Sequence, residues 1–313
     1  MIPRPLGRSG LSVAPLALGG NVFGWTIDEP TSFAILDAFV DAGYNLIDTA
    51  DVYSRWKPGN RGGESEAIIG RWLGQGGGRR GKVLIATKVG MEVDSGSGLG
   101  AGHIARAVED SLRRLGTDRI DLYQSHKDDP GTPLEETLGA YSELIRAGKV
   151  RAIGASNYTA DRLAESLKIG ESLGLPIYTC LQPEYNLVAR ASFEAELGPL
   201  CVEKGVGVIP YYALASGFLT GKYRSEADLG KSARGQKVAG YLDERGHRIL
   251  RALDDVSARL ETTPARVAIA WLRDRPGVTA PIASATSLGQ LGDLIAAAEL
   301  VLDAEAVKIL DAA

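Results

Sequence analysis

The sequence predicts a (β/α)₈ barrel in a single domain spanning residues 1–313, and three observations carry that expectation. Short runs rich in valine and isoleucine alternate with longer segments of helical period, which implies a parallel sheet with helices packed outside it. Eight such runs occur without a switch in the pattern, which favours closure over an open sheet. No proline- or serine-rich linker divides the chain, and α/β barrels of this length commonly form one domain.

PLGRSGLSV (5–13) reads as a short hairpin that would plug the barrel bottom. The strand-like runs are APLALGG (14–20), YNLIDTA (44–50), KVLIATKV (82–89), RIDLYQSH (119–126), VRAIGAS (150–156), IYTCLQP (177–183), GVIPYYAL (207–214) and VTAPIAS (278–284). In TSFAILDAFVDAG, Phe33, Leu36, Phe39 and Val40 recur at helical spacing, and Gly43 supplies the stop. HIARAVEDSLRRLG, TPLEETLGAYSELIRAG and TADRLAESLKIGESLG are likewise closed by glycine. GQGGGRRG (74–81) reads as a flexible loop between a helix and a strand. An extra helix near 244–260, inserted after the seventh strand, precedes TTPARVAIAWLRD, where Thr263 as N-cap and Pro264 at the first helical position mark a new start.

Apolar content of 44% and charged content of 24% are those of an ordinary globular protein, and a net charge of −4 argues against a nucleic-acid binder. No window approaches the ~20 apolar residues needed to cross a bilayer, and the N-terminus has no signal-like apolar core. Cys180 and Cys201 lie in different elements, without the CxxC or histidine-rich company of a zinc site. They read as core thiols of a cytoplasmic protein with no metal centre.

The polar residues that interrupt the strands are the chemical signal, because the strand C-termini of an α/β barrel open on one face. Asp48 stands near the end of the second strand with Tyr53 just beyond, Lys88 near the end of the third, and His126 at the end of the fourth. A lysine flanked by apolar residues is costly to bury unless a carboxylate neutralises it, and Asp48 is on the adjacent strand. Each residue alone would ordinarily be structural; together on three consecutive strand ends they suit proton transfer at an oxygen. A phenol of pKa about 10 needs help for that, and an ammonium beside it is expected to lower its pKa while a histidine binds the same substrate oxygen. Hydride transfer at the neighbouring carbon is the natural partner reaction. Paired carboxylates or metal ligands, as a hydrolase or isomerase would need, do not appear at the strand ends. Asp51 reads as a water-exposed loop carboxylate, and His103 and His247 as surface histidines.

Phe23, Trp25 and Trp56 also follow strand ends on this face and are expected to form an aromatic substrate mouth. Neither GGGRRGKV (76–83) nor GSGLGAG (96–102) qualifies as a phosphate loop. Val83 replaces the required hydroxyl in the first, and the second fails the GxGxxG spacing.

NLIDTADVY, IATKVG, DLYQSH, GKVRAIGASNY (148–158) and LQPEYNL (181–187) resemble the aldo-keto reductases, and the likeness extends over essentially the whole chain. The resemblance implies a barrel oxidoreductase that uses NADPH, less often NADH, on aldehydes, ketones or sugars. It implies Asp48, Tyr53, Lys88 and His126 as the catalytic tetrad, with Tyr53 as acid or base. It implies Ser156, Asn157 and Gln182 on the nicotinamide carboxamide and Tyr211 stacked on the ring. GFLTGKY resembles the family's pyrophosphate loop, so Gly217, Leu219, Gly221 and Lys222 are expected there. After the eighth strand, Ser284 and Thr286 stand where relatives carry a cation for the 2′-phosphate, with Gln290 and Asp293 as adenine or ribose contacts. The alternative that the resemblance leaves open is a nucleotide-binding, channel-associated subunit with little turnover.

Overall fold

The computed structural model describes residues 2–232 and 234–313. The hairpin forms from β1 (Arg4–Pro5) and β2 (Ser12–Val13), paired antiparallel. Eight parallel strands follow: β3 (Ala17–Gly19), β4 (Leu46–Asp48), β5 (Leu84–Val89), β6 (Ile120–Ser125), β7 (Val150–Ser156), β8 (Cys180–Gln182), β9 (Gly207–Val208) and β10 (Ile282–Ala283). Each lies inside the run that the sequence marks for it. β10 pairs with β3, and at the other edge the Ile282 N–H donates to the Pro210 carbonyl at 2.9 Å and the Thr279 N–H to Val208 at 2.8 Å. These bonds close the sheet into a barrel.

The strand alternation sorts two apolar clusters. Ala17, Leu46, Ala86, Leu122, Ala152 and Cys180 face the barrel interior, where Leu6, Leu11 and Val13 of the hairpin join them as the expected plug. Leu18, Ile47, Ile85, Tyr123, Ile153 and Leu181, each one residue away along its strand, face the helices. Gly7, with φ +52°, passes so close beneath β8 and β9 that a Cβ would lie 2.2 Å from the Thr179 carbonyl oxygen. Only glycine fits both the angle and the space.

The helices begin and end as their caps dictate. Asp28 accepts from the Thr31 N–H to start Glu29–Asp41, Thr159 starts Ala160–Leu173, and Gly116 and Gly174 end their helices at positive φ. The inserted helix is Glu244–Arg259, and Thr263 caps Pro264–Arg273. The glycine-rich 74–81 segment ends in a short helix, Arg79–Lys82. Helices at Glu64–Gly74, Gly198–Lys204 and Ala304–Asp311 were not singled out by the pattern. Among the described residues, no helix is long and apolar enough to cross a membrane.

Candidate active site

Asp48 ends β4 and Lys88 sits near the end of the adjacent β5, both turned inward and almost wholly buried. Lys88 Nζ donates to both Asp48 oxygens at 2.8 Å and to the Thr49 carbonyl at 2.8 Å, and lies 2.9 Å from the Tyr53 hydroxyl. That set satisfies an ammonium whose burial would otherwise cost several kcal/mol (~). Tyr53 follows on a turn closed by its N–H to Ala50, which brings the hydroxyl back within 3.4 Å of Asp48 Oδ2. His126, just past β6, is anchored by its N–H to the Val89 carbonyl at 2.8 Å, and its ring centroid is 6.0 Å from that of Tyr53. The four residues therefore meet at one place.

The electrostatics correct one expectation. Burial first, then the Asp48 carboxylate, holds the Tyr53 phenol well above its ordinary range despite the neighbouring lysine. Burial likewise pulls the Lys88 ammonium below its usual range, against the attraction of Asp48. Burial, then the charges of Lys88 and Lys127, hold His126 well below the ordinary imidazole range, so the ring is neutral. The site thus presents a protonated phenol and an uncharged imidazole at neutral pH, a donor arrangement suited to a carbonyl oxygen.

The residues expected around a nicotinamide form a chain that starts at Asp48. Gln182 Nε2 donates to Asp48 Oδ1 at 2.8 Å, and Ser156 Oγ donates to the Gln182 carbonyl at 2.7 Å. Asn157, held at φ +56°, donates from Nδ2 to the His126 carbonyl at 2.9 Å and accepts from the Tyr211 hydroxyl at 2.8 Å. Side chains from the ends of β7 and β8 and from the segment after β9 are thus tied by hydrogen bonds to Asp48 and His126.

In the loop after β9, Ala215, Ser216 and Gly217 all take positive φ. Such strain in non-glycine residues clusters at ligand clamps. Leu219 is fully buried, and the N–H groups of Gly217, Leu219 and Gly221 close turns to Leu214, Leu214 and Phe218. Lys222 is exposed, with its ammonium 5.0 Å from the Tyr223 ring centroid.

Past β10, the Ser284 hydroxyl donates to Asn21, and Thr286 donates through its N–H and hydroxyl to Gln290 Oε1 at 2.9 and 3.0 Å. Ser287 caps the helix Leu288–Glu299, whose N-terminus faces this segment. Asp293 is engaged by Arg266 at 2.6 Å, so as an adenosine contact it would have to act alongside an arginine.

Trp25 and Trp56 meet edge to face at 5.5 Å, and Trp56 lies 5.9 Å from Tyr53. Phe23 departs from its expected role: it is fully buried in the outer core and contributes only its carbonyl, which accepts from the Ser54 hydroxyl. Asp51 also departs from expectation, being 3% exposed with neither carboxylate oxygen hydrogen-bonded among the described residues. His103 is buried as well, and His247 is half-buried. No cluster of side chains suited to a metal ion occurs among the described residues.

Two residues escaped the sequence pattern. Gln124 donates to Asp48 Oδ1 at 3.3 Å, and the only signal for it is an uncharged polar residue near the end of the run IDLYQS. Arg266 brings a cation to Asp293 from a different helix, and nothing local announces it.

A family model described as the aldo/keto reductase family matches residues 15–313. An uncharacterized oxidoreductase of Bacillus subtilis is 38% identical over 315 residues, covering 98% of this chain and 94% of its own. An aldo-keto reductase of Fusarium vanettenii is 32% identical, covering 98% and 90% respectively. A probable voltage-gated potassium channel subunit beta of Oryza sativa is 34% identical, covering 95% and 90%.

Proposed function

The chain belongs to the aldo/keto reductase family and is an NAD(P)H-dependent oxidoreductase, and from that premise we propose that it transfers a hydride between nicotinamide and the carbonyl or alcohol carbon of an aldehyde, ketone or sugar, with Tyr53 handling the proton. The observation that carries this reading is the Tyr53 hydroxyl held 2.9 Å from Lys88, itself locked to Asp48.

Ser156, Asn157 and Gln182 would hold the carboxamide and Tyr211 the ring face, because they already form one hydrogen-bonded chain beside Tyr53. Lys222, with Gly217, Leu219 and Gly221 of the same loop, would meet the pyrophosphate, and Ser284, Thr286, Gln290 and Asp293 the adenosine end. The bound nicotinamide supplies the hydride in reduction and accepts it in oxidation. In reduction, Tyr53 and the neutral His126 both approach the substrate oxygen, and Tyr53 gives up its proton as negative charge develops there. Lys88 then faces a phenolate, which its ammonium stabilises. In oxidation the same phenolate takes the proton back.

All 313 residues act as one catalytic unit in this reading, and the two buried free cysteines fit a reducing, cytoplasmic compartment. NADPH is the preferred cofactor, by a modest margin. Absorbance at the nicotinamide band, followed with NADPH and NADH over a panel of aldehydes, ketones and sugars, tests the proposal. Tight cofactor binding without turnover on any of them would favour the second reading, a nucleotide-binding subunit, for which the name of the rice relative speaks.

A further inference from the structure

One interior side chain touches the proton machinery without a part in it so far. Gln124 is fully buried and stands in register with Lys88 across the β5–β6 pair. Leu122, two residues earlier, belongs to the interior cluster, so the strand period turns Gln124 inward as well. On the next strand Gly154 faces it in register, and a Cβ there would come 3.1 Å from Gln124 Cγ. The barrel thus leaves room at this level for an amide.

Burying a primary amide is unfavourable unless both its ends are bonded. Gln124 Nε2 donates to Asp48 Oδ1 at 3.3 Å, and Gln124 Oε1 accepts from Gln182 Nε2 at 3.3 Å. Gln182 Nε2 also donates to Asp48 Oδ1, at 2.8 Å. A carboxylate can only accept, so both amides must turn their nitrogens towards Asp48. Among the described residues, the Gln182 side-chain oxygen is left without a hydrogen bond in consequence.

We propose that Gln124 is a positioning residue, which takes a share of the Asp48 charge and fixes the Gln182 amide, so setting both the acidity of Tyr53 and the group that Gln182 offers to the nicotinamide carboxamide. The inference rests on Tyr53 being the proton donor. Each donor on Asp48 reduces the negative potential that the carboxylate places on Lys88 and Tyr53. Removing Gln124 restores that potential and disfavours the phenolate, so the phenol holds its proton to higher pH. The same change leaves Gln182 with one constraint instead of two, which weakens cofactor binding apart from chemistry.

The test is Gln124→Met, which keeps the volume and removes the donor and acceptor, assayed for alcohol oxidation by NADP⁺ between about pH 7 and 10, where the fraction of Tyr53 present as phenolate base climbs with pH. The rising limb of kcat should move up by about 0.5–1 pH unit, and KM for NADP⁺ should rise about 3- to 10-fold. Gly154→Ala keeps the amide but crowds it, and should move both readouts in the same direction by less. A folded Gln124→Met protein whose limb and KM overlay those of the parent overturns the inference. If Gln124→Met does not fold, Gly154→Ala decides on the same two readouts. Retained kcat in Tyr53→Phe would bring down the underlying assignment and this inference with it. An inactive Tyr53→Phe beside an unmoved Gln124→Met profile would bring down the inference alone.

Discussion

Lys88 Nζ stands 2.9 Å from the Tyr53 hydroxyl while bonded to both oxygens of Asp48, so a single ammonium joins a buried carboxylate to a phenol. The lysine cannot be fully spent on the carboxylate, because it must stabilise a phenolate whenever Tyr53 loses its proton.

That relationship separates two substitutions. Tyr53→Phe deletes the proton donor but leaves the Asp48–Lys88 pair intact, so kcat should fall about 10²–10⁴-fold with cofactor affinity nearly unchanged. Lys88→Met should damage turnover similarly and also strand Asp48 as an unpaired buried charge, at about 3–5 kcal/mol of stability. Steady-state kinetics with cofactor titration, beside thermal unfolding, checks both. A Phe variant retaining most of its kcat would remove Tyr53 from its role.

With Phe23 in the core, the proposed substrate mouth would rest on Trp25 and Trp56. Trp56 is 44% exposed and its ring lies 5.9 Å from that of Tyr53, so a carbonyl compound bound at Tyr53 would meet it. Trp56→Ala and Trp25→Ala should raise KM for aromatic aldehydes about 3- to 10-fold, the worth of one lost aromatic contact, with less effect on small aliphatic ones. Unchanged KM across both substrate classes would confine the tryptophans to loop packing.

The fold was legible in the sequence because barrel strands need only short apolar runs and glycine-closed helices between them, and all eight runs contain their strand. The meeting of Asp48, Lys88, Tyr53 and His126 was legible because polar and charged residues at or just beyond such runs are conspicuous. Gln124 was not, since an uncharged amide in a strand raises no alarm until the carboxylate it serves is in view. The Arg266–Asp293 pair was not, since it joins residues 27 apart on separate helices. Asp51 was misread because its position, just past a strand, gives no measure of how tightly the following loop folds over it. Phe23 shows the same limit: its place after a strand end is fixed by the chain, and only packing decides which way its side chain points.

Asp51 carries a pH prediction. Burial first, then the Glu66 carboxylate, raises its pKa from the ordinary 3.8 to about 8. The folded chain therefore keeps this proton up to about pH 8, whereas the unfolded chain releases it near pH 4 (~). Between those values folding takes up a proton, so the contribution is full at acid pH, falls as pH rises through the window, and levels off above about 8. Asp51→Asn cannot ionise. Its stability relative to the parent should rise steadily from about pH 5 to about pH 8, by on the order of 1 kcal/mol or more. Denaturant unfolding of both proteins at several pH values measures this, and a constant difference would show that Asp51 is ionised in the folded chain.

The last prediction concerns the choice between NADPH and NADH, which turns on a charge. Ser284 and Thr286 bring hydroxyls to the segment after β10, and both hydroxyls are already engaged, with Asn21 and Gln290. Arg266 lies on the neighbouring helix but is paired with Asp293 at 2.6 Å, which offsets its charge towards any phosphate. A 2′-phosphate would then rely on hydroxyls, backbone N–H groups and the start of the helix Leu288–Glu299, and neutral donors hold an anion less strongly than a guanidinium does. The natural protein should therefore prefer NADPH only modestly and use NADH appreciably. Thr286→Arg should sharpen the preference by about 1–3 kcal/mol, the typical worth of a hydrogen bond to a charged group. The measurement is kcat/KM with each cofactor for both proteins. A natural enzyme already selecting NADPH by several thousand-fold, and indifferent to the Thr286→Arg change, would mean that the phosphate is gripped elsewhere. Lys222 and Arg266 are then the cations to remove next, and Asp293→Asn, which frees Arg266, would separate their contributions.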